Sequence, residues 1–334
     1  MWSADEAGSS LYRAILPGMS LQWLGHAVSG GMRLPKDWPA LDVVVGCRVA
    51  KREPSLMWHK LKDAGKRLVL DLDDDYFHID PSNAAARRVW DVDMLGRLVA
   101  NMQIADLVTC CSEPLAAVLR DYADDVRVIP NGLPAQYLGT PRDYEAADRP
   151  VFVGWAGTSS TVAELPEAVR ALNRISQYPR PDGVQVRLVG ISPEHAMSLG
   201  LRGRRIGALG WVERHEHYMQ AVAEWDVWVA PYRDIGFNQA KFATKFLEAS
   251  ILGIPLIASD IEPYRAVIRH GENGFLVRHE HEWGRYMKRL VDDPELRQRV
   301  GMTARGEASG SILQAINGQW EAALSAPAAE RTAA

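Results

Sequence analysis

Cysteine is scarce in this chain. Cys47, Cys110 and Cys111 are the whole complement of 334 residues. Two are adjacent, none stands at a zinc-ligand spacing, and three thiols give no disulfide framework. All lie in or beside apolar, strand-like runs, so buried, reduced thiols are expected. An excess of positive charge is also missing. A net charge of −4 argues against broad electrostatic capture of nucleic acid or an anionic membrane, while leaving room for a local basic cleft. No apolar run approaches the roughly 20 residues of a membrane span, and no basic-then-apolar leader opens the chain. There is no HExxH pair, no Gly-x-Ser-x-Gly elbow, no Walker loop and no GxGxxG. These absences exclude familiar routes to zinc, serine-nucleophile and dinucleotide chemistry. What is present is an ordinary globular composition, 47% hydrophobic and 24% charged, at a length suited to two domains. Eleven tryptophans are read mainly as core, with sugar stacking as the minority role.

Short β-branched runs alternate with longer helical patterns, the signature of parallel α/β architecture. Strands are expected at Asp42 to Gly46, Arg67 to Leu72, Asp106 to Cys110 and Val126 to Pro130 in the first half. The second half offers Val151 to Trp155, Val184 to Gly190, Asp226 to Ala230, Ile254 to Ser259 and Gly274 to Val277. Their near-continuous apolar character predicts sheets covered on both faces. The first half is thin, and no clear strand precedes Gly8. Either Met1 to Ala4 is a degenerate strand or the first domain is trimmed. A polar, proline-bounded stretch from Leu138 to Pro150 reads as the boundary. The domains expected are therefore residues 1–140, a linker at 141–150, and a second domain at 151–305. A helix at 306–324 is expected to pack back on the first domain, and a small, polar tail at 325–334 to be disordered.

Three segments are candidates for chemistry. The first is FNQAKFATKFLEAS, read as a helix carrying Lys241, Lys245 and Glu248. At about 100° per residue these fall within roughly 60° of one another, flanked by apolar residues on both sides. Two ammonium groups and a carboxylate suit a ligand with a phosphate end and a hydroxyl-rich end; the plainer alternative is a surface Lys–Glu network. The preceding loop adds Arg233 and Asn238. The second is GWAGTSST. Gly157, Thr158, Ser159 and Ser160 make a small turn after a strand, and Thr161 with Glu164 fits a capping box, so an anion is expected over free backbone N–H groups. The plainer alternative is an ordinary capped helix. The third is DLDDDYFHID, where acids from Asp71 to Asp75 cluster at a strand's carboxyl end. A divalent metal, a role without metal, and plain turn chemistry are the alternatives. His215 and His217 sit in a charged run expected to be exposed.

The second half resembles the nucleotide-sugar domain of family 4-type glycosyltransferases of GT-B fold. The motifs come in the same order: GWAGTSST, RLVG, ALGWV, EWDVWVAPY, FNQAKFATKFLEASILGIPLIASD and HGENGFLV. In the first half VLDLDDDYF, ADLVTCCSEPLAAVL and VRVIPNGL are similar to the acceptor domain of a subgroup seen in bacterial surface-glycan and phage enzymes. The resemblance implies two Rossmann-like parallel-sheet domains facing across a cleft, the first possibly reduced, and metal-independent, retaining transfer of a sugar from a nucleoside diphosphate. It implies that Glu248 binds the donor ribose, that Gly157, Thr158 and Ser159 form the diphosphate loop, and that Gly190 and the Gly210–Val212 segment, with Trp211 and Val212, flank the base. Lys241 and Lys245 match the basic pair of the subgroup. Asp74 or Asp75 would orient or deprotonate the acceptor hydroxyl. There are departures: the glutamate eight residues before Glu248 in the broader family is Ala240 here, and the Arg and Lys that follow the first strand there are missing from GTSST.

The function expected is thus that of a glycosyltransferase needing no cofactor and no divalent metal. Its partners would be a nucleotide sugar and a glycan, lipid-linked, protein or modified-DNA acceptor. Its location would be cytoplasmic, with the inner membrane face or a phage-infected cell as further settings. The rivals are a nucleotide-sugar epimerase of the same fold and a catalytically silent nucleotide-sugar-binding module.

Overall fold

The computed structural model describes residues 1–5, 8–139, 144, 149–158 and 161–325. The chain divides into two compact units. One comprises Met1–Ala135, Ile235–Phe242 and Gly310–Ala334; the other comprises Gln136–Asp234 and Ala243–Ser309. Ten strands among the described residues form two parallel sheets, one in each unit.

The first sheet runs β1 (Val43–Cys47), β2 (Arg67–Leu72), β3 (Leu107–Cys110) and β4 (Val126–Val128), in that order. Successive side chains of a strand point to opposite faces, and β2 uses both. Leu68, Leu70 and Leu72 join Trp58, Leu98 and Leu115 on one side. Val69 joins Leu107, Ile129 and Trp320 on the other. That double coverage explains why β2 carries apolar residues at three successive positions, Leu68 to Leu70. Of the two possibilities for the amino-terminal residues, the degenerate strand is observed, reduced to single bridges from Trp2 to Gly46 and Gly31. Trp2 N–H donates to Val45 O at 2.7 Å, and Cys47 N–H donates to Trp2 O at 2.9 Å. The helix Leu313–Ser325 lies on this unit: the Arg13 guanidinium sits 5.1 Å from the Trp320 ring centre, and Arg67 donates to Ala323 O. The three cysteines are free and buried.

The second sheet has β5 (Val151–Ala156), β6 (Val184–Val189), β7 (Ile206–Leu209), β8 (Val227–Ala230), β9 (Leu256–Ser259) and β10 (Phe275–Val277). Their spatial order is β10-β9-β8-β5-β6-β7. Helices Pro166–Ser176 and Glu280–Asp292 contribute Leu172, Ile175, Met287 and Leu290 to a core with Val153 and Val186. β7 is absent from the strands expected above; it is a four-residue edge strand whose residues are half-buried or exposed.

Two expectations about boundaries change. The second unit is not continuous, since Ile235–Phe242 clusters with the first. The linker residues that are described are anchored to the second unit: Tyr144 OH donates to Gly253 O at 2.5 Å, and Arg149 forks onto Asp226 with two bonds of 2.8 Å. The rest of that stretch and residues 326–334 lie outside the described residues.

Candidate functional site

The chain enters the second sheet at β5, extends it to one side through β6 and β7, and then returns to the other side of β5 with β8. Ligands of open parallel sheets bind outside the carboxyl ends of the strands where the order reverses. Here that point lies between β5 and β8, and the loops that follow them carry the expected residues.

After β5, Gly157 N–H donates to Val189 O at 3.0 Å, which ties this turn to the end of β6. Gly190, next after β6, has φ +91°, and a Cβ on it would stand 1.8 Å from Gly157 O. Gly190 thus brings two backbone turns into direct contact, and Gly157 itself lies against the Trp155 ring and Thr161 Oγ1. Thr158 N–H donates to Thr161 Oγ1 at 2.8 Å. Ser159 lies outside the described residues. The expected capping box at Thr161 and Glu164 is not formed. A 3-10 turn covers Val162–Glu164, and the α-helix starts at Pro166, which has no N–H to satisfy. Glu164, buried, instead accepts from Arg233, through its backbone N–H at 2.7 Å, Nε at 3.1 Å and Nη2 at 3.2 Å. Arg233, expected on the donor, is therefore held by a carboxylate from the loop after β5. Trp211 and Val212 follow β7, the first exposed and the second half-buried.

The helix after β8 spans Thr244–Ile251. It carries Lys245 and Glu248 but not Lys241, because Ala243, with ψ 52°, is non-helical. The expected three-residue seam is therefore two residues on a helix and one outside it. Glu248 is buried, and its Oε2 accepts from Lys245 Nζ at 3.0 Å and from Tyr218 OH at 2.9 Å. Lys245 Nζ also donates to Tyr218 OH at 3.2 Å. Tyr218 comes from the helix His215–Ala223. One turn earlier on that helix, His215 Nδ1 lies 3.1 Å from Tyr137 OH. Burial lowers the His215 pKa, with Glu248 and Glu216 pulling the other way.

Lys241 and Asn238 belong to the first unit. Asn238 is buried. Lys241 Nζ donates to Asp74 Oδ1 at 2.6 Å, beyond the carboxyl end of β2. Burial pushes the Asp74 carboxyl above its ordinary range against the opposing pull of Lys241. Burial also works to raise Asp73, but Arg48 and the Ser9 and Tyr76 hydroxyls outweigh it and hold that carboxyl below its ordinary range. Asp75 is buried and accepts from the backbone N–H groups of Phe77 at 3.1 Å and His78 at 3.2 Å, with His78 Nδ1 at 2.7 Å. These are the contacts of a turn-forming aspartate. Asp71 faces the opposite side of β2. Both its oxygens are bound by Arg13, at 3.0 and 2.7 Å, and Thr109 donates to it at 2.7 Å. Among the described residues no group of three or more His, Cys, Asp or Glu is arranged to hold a metal ion.

Residues 149–293 match the model of the family described as Glycosyl transferases group 1. The whole chain is similar in fold to Anabaena HepE in complex with UDP, at TM-score 0.69 and 18% identity, covering 97% of this chain and 98% of that one. It is also similar to the S. aureus TarM structure solved with UDP, at TM-score 0.59 and 13% identity, over 78% of this chain and 51% of that one. These likenesses establish the GT-B fold. A phosphatidyl-myo-inositol mannosyltransferase of Mycobacterium leprae (strain TN) is 25% identical over 237 residues, 64% of this chain and 62% of that protein. The chain thus spans less than two thirds of that relative and about half of TarM. Among the described residues no helix is long and apolar enough to cross a membrane.

Within the second unit, sequence reasoning missed Tyr218 and misplaced His215, which is half-buried rather than exposed. Their i,i+3 spacing on one helix was the available signal, but it lay inside a run dominated by charge. The lowered His215 pKa has a consequence for stability. As pH falls below 6.5, the unfolded chain takes up a proton before the folded one, so the domain loses stability toward acid. In urea melts, His215→Asn is expected to flatten that slope; an unchanged slope would show that His215 does not cause it.

Proposed function

We propose that this protein transfers a sugar from a nucleoside diphosphate sugar to an acceptor hydroxyl, without a divalent metal and with retention at the anomeric carbon. The observation that carries the reading is the pairing of Lys245 with buried Glu248 on the helix Thr244–Ile251, in a sheet whose reversal point is bordered by the closely packed turns at Gly157 and Gly190. Expelling a nucleoside diphosphate requires about two developing negative charges to be met by groups already in place. Lys245 supplies a cation tethered to that helix, the turn after β5 supplies close backbone approach, and Glu248 accepts from a ribose diol. The UDP present in the HepE and TarM structures supports this ligand class. On this reading the first unit presents the acceptor, and Asp74, paired with Lys241, orients its hydroxyl. The acceptor remains open among glycan, lipid-linked, protein and modified-DNA hydroxyls.

A panel of nucleoside diphosphates and their sugars, read by thermal shift with and without EDTA, tests the reading through linkage. At least one ligand is expected to raise the melting temperature whether or not EDTA is present. Lys245→Ala and Glu248→Ala are each expected to weaken that ligand by about tenfold or more. If both keep the wild-type shift while folded, the donor site is wrongly assigned. A second reading, a binding module without turnover, is favoured by Ala240, which is packed in the core of the first unit. Slow donor hydrolysis by the wild type would exclude it.

A further inference from the structure

We propose that Tyr218 is a positioning residue of the donor site, which lets Lys245 leave Glu248 for the donor diphosphate without stranding a buried carboxylate. The proposal rests on the donor-site reading above and adds to it a residue from a different helix. Lys245 Nζ, Glu248 Oε2 and Tyr218 OH form a closed triangle with edges of 3.0, 2.9 and 3.2 Å. The single hydroxyl hydrogen of Tyr218 goes to Glu248, so its lone pair is what receives Lys245.

The geometry sets a problem for any anionic ligand. Lys245 in this arrangement spends its charge on Glu248, whose side chain is only 3% exposed. An ammonium that turns to a phosphate withdraws from that carboxylate, and a buried charge that loses its partner is costly. Tyr218 is the group already in contact with both. When Lys245 moves, the hydroxyl keeps its hydrogen bond to Glu248 Oε2 and holds the carboxylate in the orientation a ribose diol needs. The Tyr218 ring also borders the ammonium, 5.4 Å from ring centre to Nζ, so Lys245 can shift while staying against an aromatic face. Phenylalanine would keep the ring and its packing and lose only the hydroxyl. A ligand that recruits Lys245 therefore depends on Tyr218, and one that leaves Lys245 in place does not.

The test compares a diphosphate with its parent nucleoside: UDP and uridine, or the adenine or guanine pair if the wild type binds that base instead. Dissociation constants are measured by calorimetry for wild type, Tyr218→Phe, Glu248→Gln and the double variant, with a melting curve for each. Tyr218→Phe is expected to melt close to the wild type and to weaken the diphosphate about tenfold while changing the nucleoside less than about twofold. In the Glu248→Gln background the penalty of Tyr218→Phe is expected to shrink below about twofold, since a neutral amide needs no such support. A general loosening of the site would weaken both ligands alike and persist in the Gln background. That pattern, or a Tyr218→Phe protein that binds the diphosphate like the wild type, overturns the proposal. If Lys245→Ala loses the diphosphate and Tyr218→Phe does not, only the role of Tyr218 falls. If the wild type binds no nucleoside diphosphate, the donor-site reading falls and takes this role with it.

Discussion

Asp71→Ala is expected to destabilise the first unit by about 3–5 kcal/mol. Arg13 and Asp71 are each only 1% exposed, and they are joined by two charge-assisted bonds. Arg13 further donates to Ile129 O at 2.6 Å and to Asn131 Oδ1 at 3.0 Å. One guanidinium thus ties the π-helical turn Leu11–Ile15 to the carboxyl ends of β2 and β4. Removing the carboxylate leaves the guanidinium buried without its counter-charge, and Thr109 loses its acceptor as well. The effect should extend to the carboxyl-terminal helix, because the same guanidinium lies against Trp320. Urea melts followed by tryptophan fluorescence would measure it. A loss under about 1 kcal/mol would mean that water or a rearranged neighbour satisfies Arg13, contrary to the burial seen here.

Gly190→Ala is the second large effect, expected at about 3 kcal/mol together with loss of the nucleotide-induced thermal shift. Its left-handed φ of +91° already disfavours any side chain. The decisive point is steric: the methyl would overlap the Gly157 carbonyl oxygen, at 1.8 Å, and that oxygen belongs to backbone. To relieve the contact the turns after β5 and β6 must part, which breaks the Gly157 N–H bond to Val189 O. One of the turns that would part is proposed to receive the diphosphate, and the other is expected to flank the base. Stability and binding should therefore fall together. If Gly190→Ala melts like the wild type and still responds to nucleotide, the two turns do not pack as described.

The strands were largely legible, and the reasons are local. Runs such as VVVG and VFVGW have no position for a solvated face, which is the mark of strands covered on both sides. β7 escaped because IGAL, an edge strand, is too short and too exposed to leave that mark. Helix phase was less reliable. It placed Lys245 and Glu248 together correctly, three residues apart on a real helix, but it extended the helix one turn too far and carried Lys241 along. Glu164 shows a related error. Its spacing from Thr161 suits a capping box, yet it accepts from Arg233, 69 positions away.

The sequence by itself determined the fold class, the succession of parallel strands and the glycines at the ends of β5 and β6, because these follow from interactions between residues close along the chain. Only the tertiary structure decided which cation meets which carboxylate. Lys241 and Asp74 are 167 positions apart, Lys245 is shared between Glu248 and Tyr218, and Arg13 closes on Asp71. Charge attraction is non-directional at long range and carries no periodicity, so pairings of this kind exist only once packing has fixed the distances.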